Sequence, residues 1–68
     1  MSYIKDNIEF RTLNEIAPPV GRSIIVDTID DEKIEVKVRI VCGEILFYPC
    51  IFDGLMESFE IRGWAYFQ

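Results

Sequence analysis

The chain has 68 residues, of which half are apolar, and twelve acidic side chains outnumber seven Lys and Arg to give a net charge of −5. A chain of this length forms one small domain, residues 1–68, and buries only about 60% of the surface that its unfolded form exposes. Because phosphate contacts need clustered cations, the acidic balance argues against nucleic acid as a direct ligand and fits a partner protein with a basic surface. An ordinary solvated surface is the alternative, since small domains commonly carry a net charge of this size.

The N-terminal residues start polar and then alternate between apolar and charged side chains. Ile8 and Phe10 would lie on the same face of a short edge strand. The segment lacks the apolar core of a signal peptide, and no stretch of the sequence approaches the ~20 apolar residues of a transmembrane helix. We therefore expect a soluble, cytoplasmic protein.

A single helical turn is predicted after this strand. Thr12 and Glu15 have the spacing of a capping box, and Leu13 and Ile16 would face inward. The Pro18-Pro19 pair ends the turn, because a residue before proline is pushed out of the helical region.

Residues 22–41 show the clearest pattern, two runs rich in β-branched residues joined by a charged turn. The second run alternates apolar side chains with charged ones, at Ile34, Val36, Val38 and Ile40 against Glu35, Lys37 and Arg39. A period of two predicts a strand with one buried and one solvated face. We therefore predict a β-hairpin over these residues.

The pairing register of this hairpin follows from its one acidic strand residue. Pairing Val26 with Val38 places Asp27 opposite Lys37, whereas a slip of one residue would bury the carboxylate of Asp27 in the core. This register leaves Asp31-Glu32-Lys33 as a three-residue loop. Such loops usually hold one residue in the left-handed region, and this one lacks glycine, so a longer and looser loop is the alternative.

Turn and strand signals alternate after the hairpin. Cys42-Gly43-Glu44 predicts a tight turn, because Gly43 can adopt a positive φ. Residues 45–48 predict a third strand, apolar on both faces and therefore central or covered on both sides. Asp53-Gly54 is typical of a loop, and residues 55–58 predict one helical turn.

Residues 59–67 predict the last strand. Ile61 and Ala65 would lie on one face, and Trp64 and Tyr66 on the other. Gly63 in the middle indicates either a bulge or a close backbone approach. Together these elements predict a mostly β fold, with α+β as the alternative: a small twisted antiparallel meander or partly open barrel of four to five short strands and one helical turn.

Catalytic signatures are missing from the sequence. There is no His, and no base stands near a Ser at a known spacing. The acidic pairs lack the pattern of a calcium loop, and the glycines are isolated rather than grouped into a phosphate-binding loop. Cys42 and Cys50 are expected to be reduced thiols, with a bridge between them as the alternative. We therefore expect neither an enzyme nor a cofactor or metal.

Two groups of residues are candidates for partner binding. An acidic set at one end of the hairpin would supply electrostatic attraction, and two aromatic residues near the end of the chain would supply packing anchors. The alternatives are a solvated turn for the acids and closure of the core for Trp64. The candidate residues are Asp27, Asp30, Asp31, Glu32, Glu35, Trp64 and Tyr66.

Several segments resemble a family of short phage and prophage proteins of unknown function. The similar segments span about residues 10–66: Phe10, where that family has Trp, Ile16-Ala17-Pro18-Pro19-Val20-Gly21, Ser23-Ile24-Ile25-Val26 and Gly63-Trp64-Ala65-Tyr66. No His precedes Trp64, and the Pro-Leu-Pro tail of the family is missing. The resemblance implies a small phage-associated accessory protein in the cytoplasm of a bacterial host.

Two functional hypotheses follow. The first is a non-enzymatic binding module that docks on and inhibits a host protein, as an anti-defence factor whose acidic surface mimics nucleic acid would do. The second is a structural homo-oligomer, an assembly component joined through a sheet edge or through the two-sided apolar strand at residues 45–48.

Overall fold

The computed structural model describes residues 2–67, which form seven strands and one turn of 3-10 helix. In chain order these are β1 (Tyr3–Lys5), β2 (Ile8–Phe10), β3 (Ser23–Thr28), β4 (Lys33–Val41), β5 (Glu44–Pro49), β6 (Met56–Glu57), the 3-10 turn (Ser58–Glu60) and β7 (Ile61–Tyr66). All pairings are antiparallel. The predicted mostly β class is confirmed.

The five strands β3 to β7 form one sheet in the order β6-β5-β4-β3-β7. The edge strands β6 and β7 are joined by the three-residue 3-10 turn but do not pair with each other in the described part of the chain. Side chains from both edges nevertheless reach the same core, so the sheet is an open one that curls around its apolar face. The core consists of Ile24, Val26, Val36, Val38, Phe47, Ile61 and Trp64, with Leu13, Ile34, Ile45 and Met56 packed against it.

The central hairpin forms as predicted but in another register. Val26 pairs with Ile34 and Asp27 with Lys33, so the predicted partners Val38 and Lys37 are wrong. The shift along β4 is an even number of residues. The predicted core face is therefore correct for Ile24, Val26, Ile34, Val36 and Val38 even though the partners are not. It is wrong for Ile40, which is 58% exposed near the end of β4.

The loop of this hairpin consists of three residues, Ile29-Asp30-Asp31, and begins two residues earlier than predicted. The backbone N–H of Thr28 donates to the carbonyl of Glu32 over 2.9 Å and closes the loop. Asp31 occupies the left-handed region with φ +64°. Aspartate tolerates this conformation better than most residues, so the loop is tight without glycine and the longer alternative is wrong.

The N-terminal strand β2 pairs with β1, a strand that the sequence did not predict. The turn between them, Asp6-Asn7, has positive φ at both residues (53° and 65°), as a two-residue hairpin of the right twist requires. Tyr3 of β1 lies over Gly63 of β7, on the face of the sheet opposite the core. This small hairpin therefore covers the β3–β7 side of that second face.

The predicted helical turn at residue 12 is reduced to a hydrogen-bonded turn. The N–H of Glu15 donates to the carbonyl of Thr12 over 3.1 Å, and no helix continues from it. Leu13 packs on the core as expected. Ile16 is 47% exposed rather than inward, because its carbonyl is bound to the indole N–H of Trp64 (2.9 Å) and its side chain points out.

Gly63 of β7 lies both beside a bulge and at a close backbone approach, the two features predicted for it. It pairs with Asp27 of β3, but the next pair is Thr28 with Ile61, which leaves Arg62 as an extra, bulged residue. A Cβ at Gly63 would lie 2.8 Å from the Tyr3 hydroxyl. The bulge reverses the alternation, so Ile61 and Trp64 share the core face and their predicted placement on opposite faces is wrong.

The segment between β5 and β7 also differs from the prediction. Met56 and Glu57 extend to pair with β5, and the helical turn follows them at Ser58–Glu60 instead of at residues 55–58. The tight turn at Cys42-Gly43 is confirmed, with positive φ at both residues. Both cysteines are free and exposed. No helix in residues 2–67 has the length and apolar character needed to cross a bilayer.

Candidate functional site

Asp27, the first of the candidate acids, lies inside the protein with only 1% of its surface exposed. Its Oδ2 accepts a 2.7 Å hydrogen bond from the Tyr3 hydroxyl, and its Oδ1 accepts one of 2.8 Å from Nζ of Lys5. Burial, and then the hydrogen bond to Asp27, raise the pKa of Tyr3 well above its ordinary value. Asp27 therefore fastens the N-terminal hairpin to the sheet and offers a partner no surface.

Asp31 at the hairpin tip is exposed but is not a free charge. Its Oδ1 accepts hydrogen bonds from Nζ of Lys5 (3.0 Å) and from the Arg62 guanidinium (2.8 Å), which also donates to the carbonyl of Ile29 over 2.9 Å. The hydrogen bond from Lys5 is the main cause that lowers the pKa of Asp31. Asp6 is paired in the same way with Lys33, which lowers the pKa of Asp6.

These ion pairs change the electrostatic character of the tip. Lys5, Lys33 and Arg62 lie within reach of the predicted acidic set and are all bound to its carboxylates or to Asp6. Asp30 and Glu32 are exposed and form no ion pair with another described residue, and Glu35 is half-buried in β4. The sequence did not predict this network because its partners are distant in the chain: Lys5 and Arg62 are far from Asp31, and Lys33 is far from Asp6.

Trp64 and Tyr66, the candidate aromatic anchors, differ in exposure. Trp64 is fully buried in the core, which settles between its two alternatives in favour of core closure. Tyr66 is 43% exposed and meets Trp64 edge-on, with ring centroids 5.0 Å apart. The guanidinium carbons of Arg11 and Arg22 lie 5.4 and 5.0 Å from the centroid of the Tyr66 ring. Tyr66 therefore belongs to a cationic rather than an acidic surface.

A groove beside β5 is the surface feature that sequence reasoning missed. The strand β6 pairs with only two residues of β5, Leu46 and Phe47, although β5 runs from Glu44 to Pro49. The uncovered start of β5 faces the 3-10 turn across a groove of about 420 Å³. We call this the β5 groove; it is lined by Glu44, Ile45, Leu46, Glu57 and Phe59, among others.

The β5 groove combines apolar walls with an acidic rim. Phe59 is 71% exposed, and Ile45 and Leu46 are half-buried beside it. Ile40, which pairs with Ile45, extends the apolar surface around the β4–β5 turn and is also exposed. The signal in the sequence was weak. Single apolar residues next to turns are typical of small proteins, and a two-residue strand such as β6 has no periodicity to detect.

The described residues offer no group of three or more His, Cys, Asp or Glu side chains placed to hold a metal ion. Three surface features are candidates for binding: the ion-paired hairpin tip, the cationic cluster around Tyr66 and the β5 groove. No family model matches this chain, and no curated protein or solved structure matches it.

Proposed function

We propose that this chain is a small protein-binding module that holds an extended, basic segment of a partner protein in the β5 groove. The observation that carries the proposal is the incomplete pairing of β5, whose first residues have an apolar, acid-rimmed groove where a neighbouring strand would lie.

An extended segment is the occupant that fits an unpaired strand. The edge of a strand presents backbone donors and acceptors, and a peptide can add to them as a further strand. β6 ends at Glu57, so a peptide that follows its line would lie beside Ile45 and Glu44. Ile45 and Leu46 point to opposite faces of β5 and would then contact side chains on the two faces of the peptide, with Phe59 as an aromatic anchor.

Charge selects a basic segment. Glu44 and Glu57 rim the groove, and neither forms an ion pair with another described residue. At the hairpin tip, Asp27 and Asp31 are paired with Lys5 and Arg62, and Asp30 and Glu32 are exposed without an ion pair to another described residue. The Glu57 carboxylate accepts the backbone N–H of Glu60 in the capping box of the 3-10 turn but lacks a cation. Lysine or arginine side chains beside the apolar contacts would therefore meet carboxylates without an ion pair here, which raises both specificity and association rate.

A homo-oligomer through the same edge is the second hypothesis, and charge disfavours it. In a two-fold contact the same patch meets itself, so Glu44 and Glu57 of one copy would face those of the other. Sedimentation velocity at micromolar concentration distinguishes the two: a monomer supports the module, and a stable dimer supports self-assembly. That the partner is a host protein inhibited by a phage-type accessory protein stays a prediction.

The proposal is tested by selecting binders from a random octapeptide library displayed on phage. We expect recovered peptides to alternate Lys or Arg with apolar residues. The double variant Glu44→Gln/Glu57→Gln should weaken their binding at least about tenfold, as expected for charge-assisted contacts. The matched control, Asp30→Asn/Glu32→Gln, removes the same charge from the hairpin tip and should bind like the unmodified protein.

Two results would contradict this proposal. Loss of peptide binding in Asp30→Asn/Glu32→Gln but not in Glu44→Gln/Glu57→Gln would show that peptides bind at the acidic hairpin tip. Recovery of peptides without any basic enrichment would remove the electrostatic part of the proposal.

A further inference from the structure

A second cavity lies between the N-terminal hairpin and the face of the sheet opposite the core. It encloses about 420 Å³ and is separate from the β5 groove. Its floor is apolar, formed by Ile8, Ile25 and Ala65. A volume of this size lies in the range of roughly 300–1,000 Å³ that small-molecule sites occupy. We call it the β2 pocket.

Among the described residues that line the β2 pocket, Arg11 is the only cation, and several contacts hold it in position. Its backbone N–H and carbonyl exchange two hydrogen bonds of 2.8 Å with Trp64. Its guanidinium carbon lies 5.7 Å from the centroid of the Trp64 ring and 5.4 Å from that of Tyr66. Contacts with ring faces at this range hold a guanidinium in place but leave its N–H groups available to an anion.

The guanidinium of Arg11 has no acidic partner among the described residues, and neither has that of Arg22. Both lie against the same ring, Tyr66, so two like charges share one site. Of the five other cations in this protein of net charge −5, Lys5, Lys33 and Arg62 are paired with carboxylates. An anion bound at Arg11 would relieve this repulsion and supply the missing charge.

The other polar groups at the rim of the pocket determine which anion charge is favoured. Asn7 and Tyr66 add neutral polar groups, whereas Glu9 adds one carboxylate. A dianion such as phosphate would be repelled by Glu9, but a single carboxylate can face Arg11 and turn its body toward the apolar floor.

We propose that the β2 pocket binds a small monocarboxylate with an apolar body, whose carboxylate pairs with Arg11 and whose body packs on Ile8, Ile25 and Ala65. This site is independent of the β5 groove and involves other residues.

The test is a titration of the 15N-labelled protein with 3-phenylpropionate, followed by NMR at pH 7. We expect amide shifts at Asn7, Ile8, Ala65 and Tyr66, with a dissociation constant in the millimolar range that a ligand of this size reaches. The neutral analogue 3-phenylpropionamide should bind at least about tenfold more weakly, because it lacks the charge that Arg11 recognises.

Two variants locate the charge that binds the acid. Arg11→Gln should weaken binding of the acid about tenfold. Arg39→Gln is the matched control, because its guanidinium lies on Tyr48 (5.8 Å), outside the pocket, and it should bind unchanged.

Equal affinity for acid and amide, no shift of the pocket resonances, or shifts insensitive to Arg11→Gln would overturn the proposal. If Arg11→Gln does not fold, the comparison of acid with amide on the unmodified protein decides alone. Because the β5 groove contributes none of these resonances, failure here leaves the proposed peptide site untouched.

Discussion

The hydroxyl of Tyr3 donates a 2.7 Å hydrogen bond to the buried carboxylate of Asp27, and this contact joins β1 to β3 of the five-stranded sheet. The other oxygen of Asp27 is bound to Lys5. A carboxylate can occupy the interior at this place because both of its oxygens are satisfied by the small N-terminal hairpin. Asp27 thus stabilises the fold rather than contacting a partner.

Removing Tyr3 and removing Asp27 from this hydrogen bond should destabilise the protein by different amounts. Tyr3→Phe deletes the donor and should lower the free energy of unfolding by about 1 kcal/mol. Asp27→Ala leaves the Tyr3 hydroxyl without an acceptor and should lower it by about 2–3 kcal/mol. Urea denaturation measures both, and the double variant should cost less than the sum of the two. Strict additivity would show that the two residues do not interact.

Gly63→Ala should destabilise the protein by about 2 kcal/mol, because overpacking forces backbone shifts. The added Cβ would lie 2.8 Å from the Tyr3 hydroxyl and 2.9 Å from the backbone carbonyl of Arg11. Tyr3→Phe relieves only the first clash. Adding it to Gly63→Ala should therefore not restore stability, and full recovery in thermal unfolding would place the strain at Tyr3 alone.

Trp64→Ala should largely unfold the chain. The cavity left by a buried Trp costs about 4 kcal/mol, which is comparable with the stability that so small a core supplies. Tyr66→Ala is the matched control, an aromatic residue of the same strand that is partly exposed and should leave the fold intact. The chemical-shift dispersion of the amide NMR resonances measures whether each variant is folded. A well-dispersed spectrum for Trp64→Ala would contradict its role in the core.

Stability should fall at both ends of the pH scale. The pKa values of Asp6 and Asp31 are lowered by Lys33 and Lys5, so their contribution is present above the ordinary value of 3.8 and is lost as the pH falls below it. Tyr3 and Lys5 have raised pKa values. Their contribution to stability is therefore present below their ordinary values of 10.0 and 10.5 and is lost as the pH rises above these values.

Denaturation midpoints measured across this range should therefore show a plateau from about pH 4 to pH 10. Asp31→Asn should lower that plateau and flatten the acid limb. An acid limb of unchanged steepness in this variant would remove Asp31 from the ion-pair network.

The sequence predicts the faces of the central hairpin well and its register poorly, for a physical reason. Alternation fixes which side chains of β4 point inward, and every even shift preserves it. The choice among these shifts depends on where the loop closes. That depends on Asp31 adopting the left-handed conformation, for which the sequence gives no strong signal.

Other differences arise where a contact between distant parts of the chain decides the local structure. The bulge at Arg62 reverses the faces of β7, so Trp64 joins the core. Asp27 and Asp31 are paired with cations from β1 and β7, which the sequence places far from them. β1 and β6 have three and two residues, too few for a periodic pattern, and the β5 groove exists because β6 is so short.

The most direct test of the β5 groove is an NMR titration of the 15N-labelled protein with an acetylated octapeptide of alternating Lys and Val. Binding in the groove predicts amide shifts centred on Glu44, Ile45, Leu46 and Phe59, and no response to the matching peptide of alternating Glu and Val. Shifts confined to the hairpin tip at Asp30 and Glu32, or an equal response to both peptides, would contradict it.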